Sequence, residues 1–543
     1  MTKALGIGTT QVGNVSVAAS GGGVNSGGLT TPLVNELGTN ISTATPDKNA
    51  LGRGTGAEVG LVTADPQSTT LNQLLLSGLA IATAPPNNPT PVTKDIALPV
   101  NPVLFASALR GQAQALYDPA FCPVGRPLTY GLGYASNVQL LNLGAGSNPQ
   151  SGFDTPVLGT SISAFGTPRG VTQSRTVTYL QANGDGTFGV VSETRQTVAP
   201  ISLLANQLTN TAVTVEIAGE FGMRVVATGK STGSGVSYTG NPVITVTSTV
   251  AGVPANILGP ITLQDLLGQN GLTINTAGLL NVSAGAPPRA LNGPLGSTAT
   301  VAQDGTSASG AADMVLLQLL NLPGLTALDL RLGHMEGAVT VPAGGLTCDL
   351  PVSKTASVDP VTVGQDFAYT IKIPSDSALF NQLYNCDLVN ISAVDTVTAK
   401  TGSPTIQLLS ADHDGVVSGN KVTWANLGGY TLGQDPIVLT INARIPTSSP
   451  AGVLQDTVNV TAALGNCRGG ATGEDIVQGG ARLNGSAITG NVTLVAPTVS
   501  RGGLAATGGN SWPLVAGGGF LLAALGLVRL RRRATDAPVT TTS

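Results

Sequence analysis

Histidine is scarce in this 543-residue chain: His334 and His413 are the only two. His334 stands two residues before Glu336. In a strand that spacing puts both side chains on one face, where imidazole and carboxylate can trade a proton, but it is also the ordinary arrangement of a solvated pair. Neither histidine has a nucleophile motif beside it, so a serine-hydrolase triad has no footing. The 29 acidic residues are scattered singly and point to no facing pair of the kind a glycosidase needs. Two short acidic runs, Asn183-Gly184-Asp185-Gly186 and Asp412-His413-Asp414-Gly415, have the composition of cation loops. An EF-hand loop requires further oxygen ligands and a distal Glu in register, which neither run has. Both read instead as tight turns, because Asn-Gly and Asp-Gly accept positive φ. Cys122, Cys348, Cys386 and Cys467 form no C-x-x-C pair, which with so few histidines argues against zinc. No catalytic residue, metal ligand or cofactor site is assigned.

The elements that would carry such residues are strands. Charged residues make up only 10% of the chain, against a usual ~25%, while Gly supplies 72 positions. A mean hydropathy of +0.25 leaves enough apolar surface for collapse. Short β-branched runs punctuated by Gly, Asn and Pro predict an all-β fold. A net charge of −4 without a large basic patch gives no footprint for nucleic acid. Strands are expected at 13–17, 177–180 and 188–191 around the 183–186 turn, then at 212–217, 223–228 and 243–250, with closing strands at 313–320 and 327–336. Leu71, Leu74, Leu75, Leu76 and Leu79 are spaced for a short helix over 68–83. The Pro/Asn run 85–91 predicts an extended loop. Two units follow: a Gly/Thr-rich β region over 1–350, of one domain or two, and a β-sandwich of about seven strands over 351–496.

The last forty residues have a different character. Leu504-Ala505-Ala506-Thr507-Gly508 follows a short polar spacer, 497–503. An uncharged run from Trp512 to Val528 comes next, and then Arg529-Leu530-Arg531-Arg532-Arg533. As a helix the run would be about 25 Å long at ~1.5 Å per residue, the short end of what spans a bilayer core. Arg529, Arg531, Arg532 and Arg533 would hold the 534–543 tail in the cytoplasm and leave everything before Leu504 outside. This order of pentapeptide, span and basic stop over 504–533 resembles the cell-wall sorting signal of Gram-positive surface proteins, in the Leu-Ala-x-Thr-Gly form associated with class E sortases of actinobacteria. The resemblance implies that a sortase cysteine attacks the carbonyl of Thr507 and releases Gly508, after which a peptidoglycan amine resolves the thioester. The chain would then be the substrate of that enzyme, in the membrane before processing and in the cell wall afterwards. An uncleaved single-span anchor is the alternative. A lipid-anchor signal fits poorly, because there the apolar tail ends the precursor. The first ten residues show no apolar leader, so Met1 is expected to be an internal or misassigned start, or the leader to have been removed.

Two looser resemblances cover the ectodomain. The stretch from Leu332-Gly333-His334-Met335-Glu336 to Gly344-Gly345-Leu346-Thr347-Cys348 is similar to the end of a domain in actinobacterial choice-of-anchor surface proteins. Val352-Ser353-Lys354-Thr355-Ala356, followed by Phe367-Ala368-Tyr369-Thr370-Ile371, resembles the conserved-repeat, Ig-like domains of bacterial surface proteins, with Gly364-Gln365 where that pattern has Pro-Gly. Some surface sandwiches join a Lys to an Asn through an isopeptide bond promoted by a buried carboxyl, which would make Lys354 and Asn459 candidate partners. In an exported chain an even cysteine count reads as two disulfides. Three pairings are open, of which Cys386–Cys467 and Cys122–Cys348 are favoured.

The expectation is therefore a non-catalytic surface protein serving adhesion, envelope structure or contact with an unknown extracellular ligand. An exported glycan-active enzyme and an architectural coat or pilus subunit are the other classes, although no dedicated pilin lysine motif is present.

Overall fold

Asn183 to Gly186 form a turn because two glycines take the left-handed backbone there, Gly184 at φ 88° and Gly186 at φ 90°. The turn joins the antiparallel strands Val171–Ala182 and Thr187–Asn206, which pair Ala182 with Phe188 and Tyr179 with Val191. Asp185 accepts hydrogen bonds from Thr187 N–H (3.1 Å) and Thr187 Oγ1 (2.7 Å) and pairs with Lys230, so its carboxylate is occupied within the turn. These contacts hold its pKa well below the ordinary value, the Lys230 hydrogen bond contributing most.

The computed structural model describes strand segments and adjoining turns between 8 and 332, the unbroken run 335–468, and residues 476, 481–489 and 492–495. All of them belong to one compact unit, Met1–Ala496. Among the described residues no helix is long and apolar enough to cross a membrane. The 512–528 segment lies outside them.

The hairpin is part of a 13-stranded sheet whose main path runs Val253–Thr262, Val243–Val250, Thr211–Ala227, Thr187–Asn206, Val171–Ala182, Pro127–Ser136, Ala108–Ala115 and Val92–Ile96. A second, seven-stranded sheet includes Val15–Val24, Ser307–Ala312 and Met335–Thr340. Phe188, Val190, Phe221, Met223 and Val225 of the first sheet share a core with Met335 and Val339 of the second. The strands expected at 212–217 and 223–228 are one continuous strand, Thr211–Ala227. The register against its neighbour shifts between Gln196 and Val198, and Gly219 at φ 107° supplies the break that reads as a boundary in sequence. The end of the helix expected over 68–83 is also a strand, Ala80–Ala84, with Ala80, Ala82 and Ala84 buried and the residues between them exposed. Period-two burial against Ala113 and Ala115 prevails there over the helical spacing of the leucines, which lie outside the described residues.

Gly305 closes the Thr298–Val301 to Ser307–Ala312 hairpin at φ 70°, and a Cβ there would sit 1.7 Å from the carbonyl oxygen of Lys230. Gly305→Ala is therefore expected to lower stability by on the order of 2 kcal/mol, read as a lower thermal midpoint.

Leu346–Thr347 still pairs with Thr187–Asn206 of the 13-stranded sheet, and from Ser353 onward the chain forms a two-sheet sandwich. Its strands are β1 (Ser353–Ala356), β2 (Val361–Thr362), β3 (Asp366–Ile373), β4 (Asp387–Gly402), β5 (Gln407–Ala411), β6 (Val416–Ser418), β7 (Lys421–Trp424), β8 (Ile437–Arg444), β9 (Gly452–Gly465), β10 (Arg482–Ile488) and β11 (Val492–Val495). One sheet has the order β1-β3-β8-β5 and the other β2-β11-β9-β4-β7-β6, with β10 also on β9. Among the described residues there are eleven strands against the seven or so expected, and pieces as short as β2 and β6 carry too few residues to show a period. Tyr369, Ile371, Leu439 and Ile441 from one sheet meet Ala393, Val397, Trp424, Val458 and Val460 from the other. A helix not expected from sequence, α1 (Ser377–Leu383), follows β3. Asp376 caps it by accepting the Leu379 N–H at 2.9 Å, and it buries Phe380 and Leu383. Phe380 stacks on Tyr384 with ring centroids 4.0 Å apart.

Candidate functional site

Alternation along β4 sends Ile391, Ala393, Asp395 and Val397 to one buried face; along β9 it does the same for Leu454, Asp456, Val458, Val460 and Ala462. An aspartate thus stands in phase with apolar residues in each of two neighbouring strands. Asp395 pairs with Val458 and Asp456 with Val397, so the two carboxyls are diagonal neighbours on the same face. Lys354 comes from the opposite sheet, where it pairs with Ile371. Its stem crosses the core, and Nζ touches Asp395 Oδ1 and Asp456 Oδ2. All three side chains are 0% exposed.

The three contacts are not equivalent. Nζ donates a hydrogen bond to Asp395 Oδ1, whereas both Asp456 oxygens and Asp395 Oδ2 accept none. Nζ also lies 4.9 Å from the centroid of the Tyr369 ring, which gives the cation an apolar, electron-rich floor. The Tyr369 hydroxyl is buried without a partner, and burial raises its pKa. Burial pushes the Asp395 carboxyl up to about 7; Lys354 opposes that rise and Asp456 adds to it. One ammonium cannot balance two carboxylates in a dry core, which is why the Asp395 carboxyl holds its proton to a much higher pH than an exposed one. An amine against a protonated carboxyl, with a second carboxyl to carry protons, is a set of groups that can condense.

Asn459 is not a member. It is exposed on the other face of β9, one residue out of phase, opposite Val394 and Ser486. The carboxyls that face Lys354 are Asp395 and Asp456, neither of them expected from sequence, because a single Asp in an apolar strand gives no local sign of a partner on another strand. The available signal was an acidic residue at an inward position of each of two apolar alternations.

Disulfides bracket this region. Cys386–Cys467 joins the start of β4 to the chain just past β9, and Cys122–Cys348 holds a segment of the N-terminal region to the chain entering β1. That segment also docks directly: Arg126 donates to the carbonyls of Tyr384 (3.1 Å) and Asn381 (3.3 Å). Beside the second disulfide, Asp387 accepts the Leu432 N–H at 2.9 Å and Asn466 Nδ2 at 3.2 Å.

His413 and Asp414 lie in the β5–β6 turn at φ 50° and 58°. Asp412 Oδ1 accepts the Thr440 N–H (2.9 Å), and its backbone carbonyl accepts Trp424 Nε1 (2.8 Å), so this run serves the turn. Among the described residues no group of His, Cys, Asp and Glu is disposed to hold a metal. His334, the 504–508 pentapeptide and the arginines 529–533 lie outside the described residues.

No family model matches the chain, and no curated protein matches it. Among solved structures, the major pilin subunit of Bacillus cereus aligns at 12% identity and a TM-score of 0.17, over 51% of this chain and 58% of the pilin chain. The N-terminal domain of a Streptococcus gordonii adhesin aligns at 11% identity and a TM-score of 0.17, over 91% of this chain and 94% of that one.

Proposed function

We propose that the chain is a non-catalytic surface protein, anchored to peptidoglycan through Thr507 after a sortase cleaves the bond to Gly508. The observation that carries this reading is the order of Leu504-Ala505-Ala506-Thr507-Gly508, the uncharged Trp512–Val528 run and Arg529 to Arg533. The ectodomain supports it: strand-built cores closed by two disulfides suit a compartment where thiols stay oxidised. In this reading residues 351–496 are a domain of their own, and Arg529, Arg531, Arg532 and Arg533 retain the tail in the cytoplasm until cleavage. The role of the displayed portion is adhesion, envelope structure or contact with an extracellular partner.

Muralytic digestion of cell walls followed by mass spectrometry of the C-terminal peptide tests the anchor. The expected fragment ends at Thr507 and carries a peptidoglycan remnant. A membrane-fraction protein intact through Ser543 would replace this reading with a plain single-span anchor. Glycan hydrolysis by the purified ectodomain would replace the non-catalytic role.

A further inference from the structure

We propose that Lys354 and Asp456 condense within the folded chain to an amide joining the two sheets of the sandwich, with Asp395 carrying the protons. The inference rests on the buried cluster alone and holds whether or not the chain is wall-anchored.

The geometry assigns the roles. Lys354 Nζ is hydrogen-bonded to Asp395, so Asp395 is placed to take the proton that must leave the ammonium before nitrogen can attack. Asp456 lies against the same nitrogen, and neither of its oxygens accepts a hydrogen bond that would tie the carboxyl down. Lys354 and Asp456 have fully buried side chains, so the step occurs away from bulk water and the water it releases leaves the core. Amine and carboxyl are already in contact on rigid strands from opposite sheets, which makes the reaction effectively unimolecular.

The atoms balance without any outside reagent. In the reacting form Lys354 is an ammonium, Asp395 a carboxylate and the single proton of the two carboxyls sits on Asp456, with no net charge. Asp395 takes one proton from Nζ, and the freed lone pair attacks Cγ of Asp456 to give a tetrahedral adduct. Asp395 passes its proton to one hydroxyl of that adduct and takes a second proton from nitrogen. The C–O bond breaks, water departs and the C–N bond remains. The products are one amide, one water and a protonated Asp395, which then donates a hydrogen bond to the new carbonyl. The burial that raises the Asp395 pKa favours this neutral end state.

The test is mass spectrometry of the full chain, purified in detergent, reduced and alkylated so that the disulfides do not contribute. The expected intact mass is one water below that of the sequence with its four cysteines alkylated, and the peptide map contains a branched peptide joining Lys354 to Asp456. Lys354→Arg keeps the positive charge but removes the nucleophile, and is expected to show no branched peptide. Asp456→Asn is expected to give the same final mass as the linked parent, since ammonia leaves in place of water. The parent protein decides the question even if a variant folds poorly. Folded parent protein at its full sequence mass overturns the proposal, as does a lost water with Lys354 free in the map. A branch from Lys354 to Asp395 overturns the roles assigned.

Discussion

Lys354→Met is expected to destabilise the C-terminal sandwich by about 3–5 kcal/mol near neutral pH, because it removes both the cation that meets the two carboxyls as the core closes and the amide proposed to replace it, leaving two ionisable carboxyls in a dry core. The effect is large because Asp395 and Asp456 sit wholly inside and cannot turn to solvent. The variant should also acquire a distinctive pH dependence. Burial already raises the Asp395 pKa to about 7 with Lys354 pulling it down, so removing the lysine moves it higher. Its folded value then exceeds the unfolded value of about 3.9, so the protonated carboxyl favours the folded state. Stability of the variant is thus fully present below about pH 4 and is lost progressively as pH rises from there through the folded-state value, which lies above 7. Thermal unfolding at several pH values checks both points. A variant melting like the parent at neutral pH would mean that Lys354 neither compensates these carboxyls nor is joined to one of them.

Removing the Cys386–Cys467 disulfide as the Cys386→Ser/Cys467→Ser pair is the second large effect. The bond closes a loop of 81 residues, for which chain entropy predicts about 4.5 kcal/mol of lost stability. Replacing both cysteines avoids a lone thiol, and Asp387 with its Leu432 and Asn466 contacts should keep the β4 start in place. The denaturant midpoint should fall, and treating the parent with a strong reductant, which also opens Cys122–Cys348, should lower it at least as far. An unchanged midpoint would show that the β4–β9 ladder alone holds this edge.

Much of the strand layout was legible because period-two alternation and Asn-Gly or Asp-Gly turns are local signals. The 183–186 hairpin and the strand Val243–Val250 follow from a few residues each. The continuity of Thr211–Ala227 was not legible, since Gly219 reads as an end and only the paired neighbour shows the strand passing through. Lys354 was picked out, but its partners depend on which strands from the opposite sheet lie beneath it. Asp395 and Asp456 are 61 residues apart in sequence and meet only through the register of β4 on β9. Asn459 was proposed from the same strand and fails by phase, a distinction that burial fixes and composition does not. The helix α1 has a readable cap in Asp376 but only seven residues, too short for a helical period to stand out.

The two disulfides also set how far the molecule can lengthen under tension. Their loops span 226 and 81 residues, and a chain pulled from its ends must bypass whatever a covalent bridge encloses. At ~3.4 Å per residue fully extended, roughly 1,000 Å of contour stays locked while both bonds are intact. Reduction would turn a short tether into a long one without cutting the backbone.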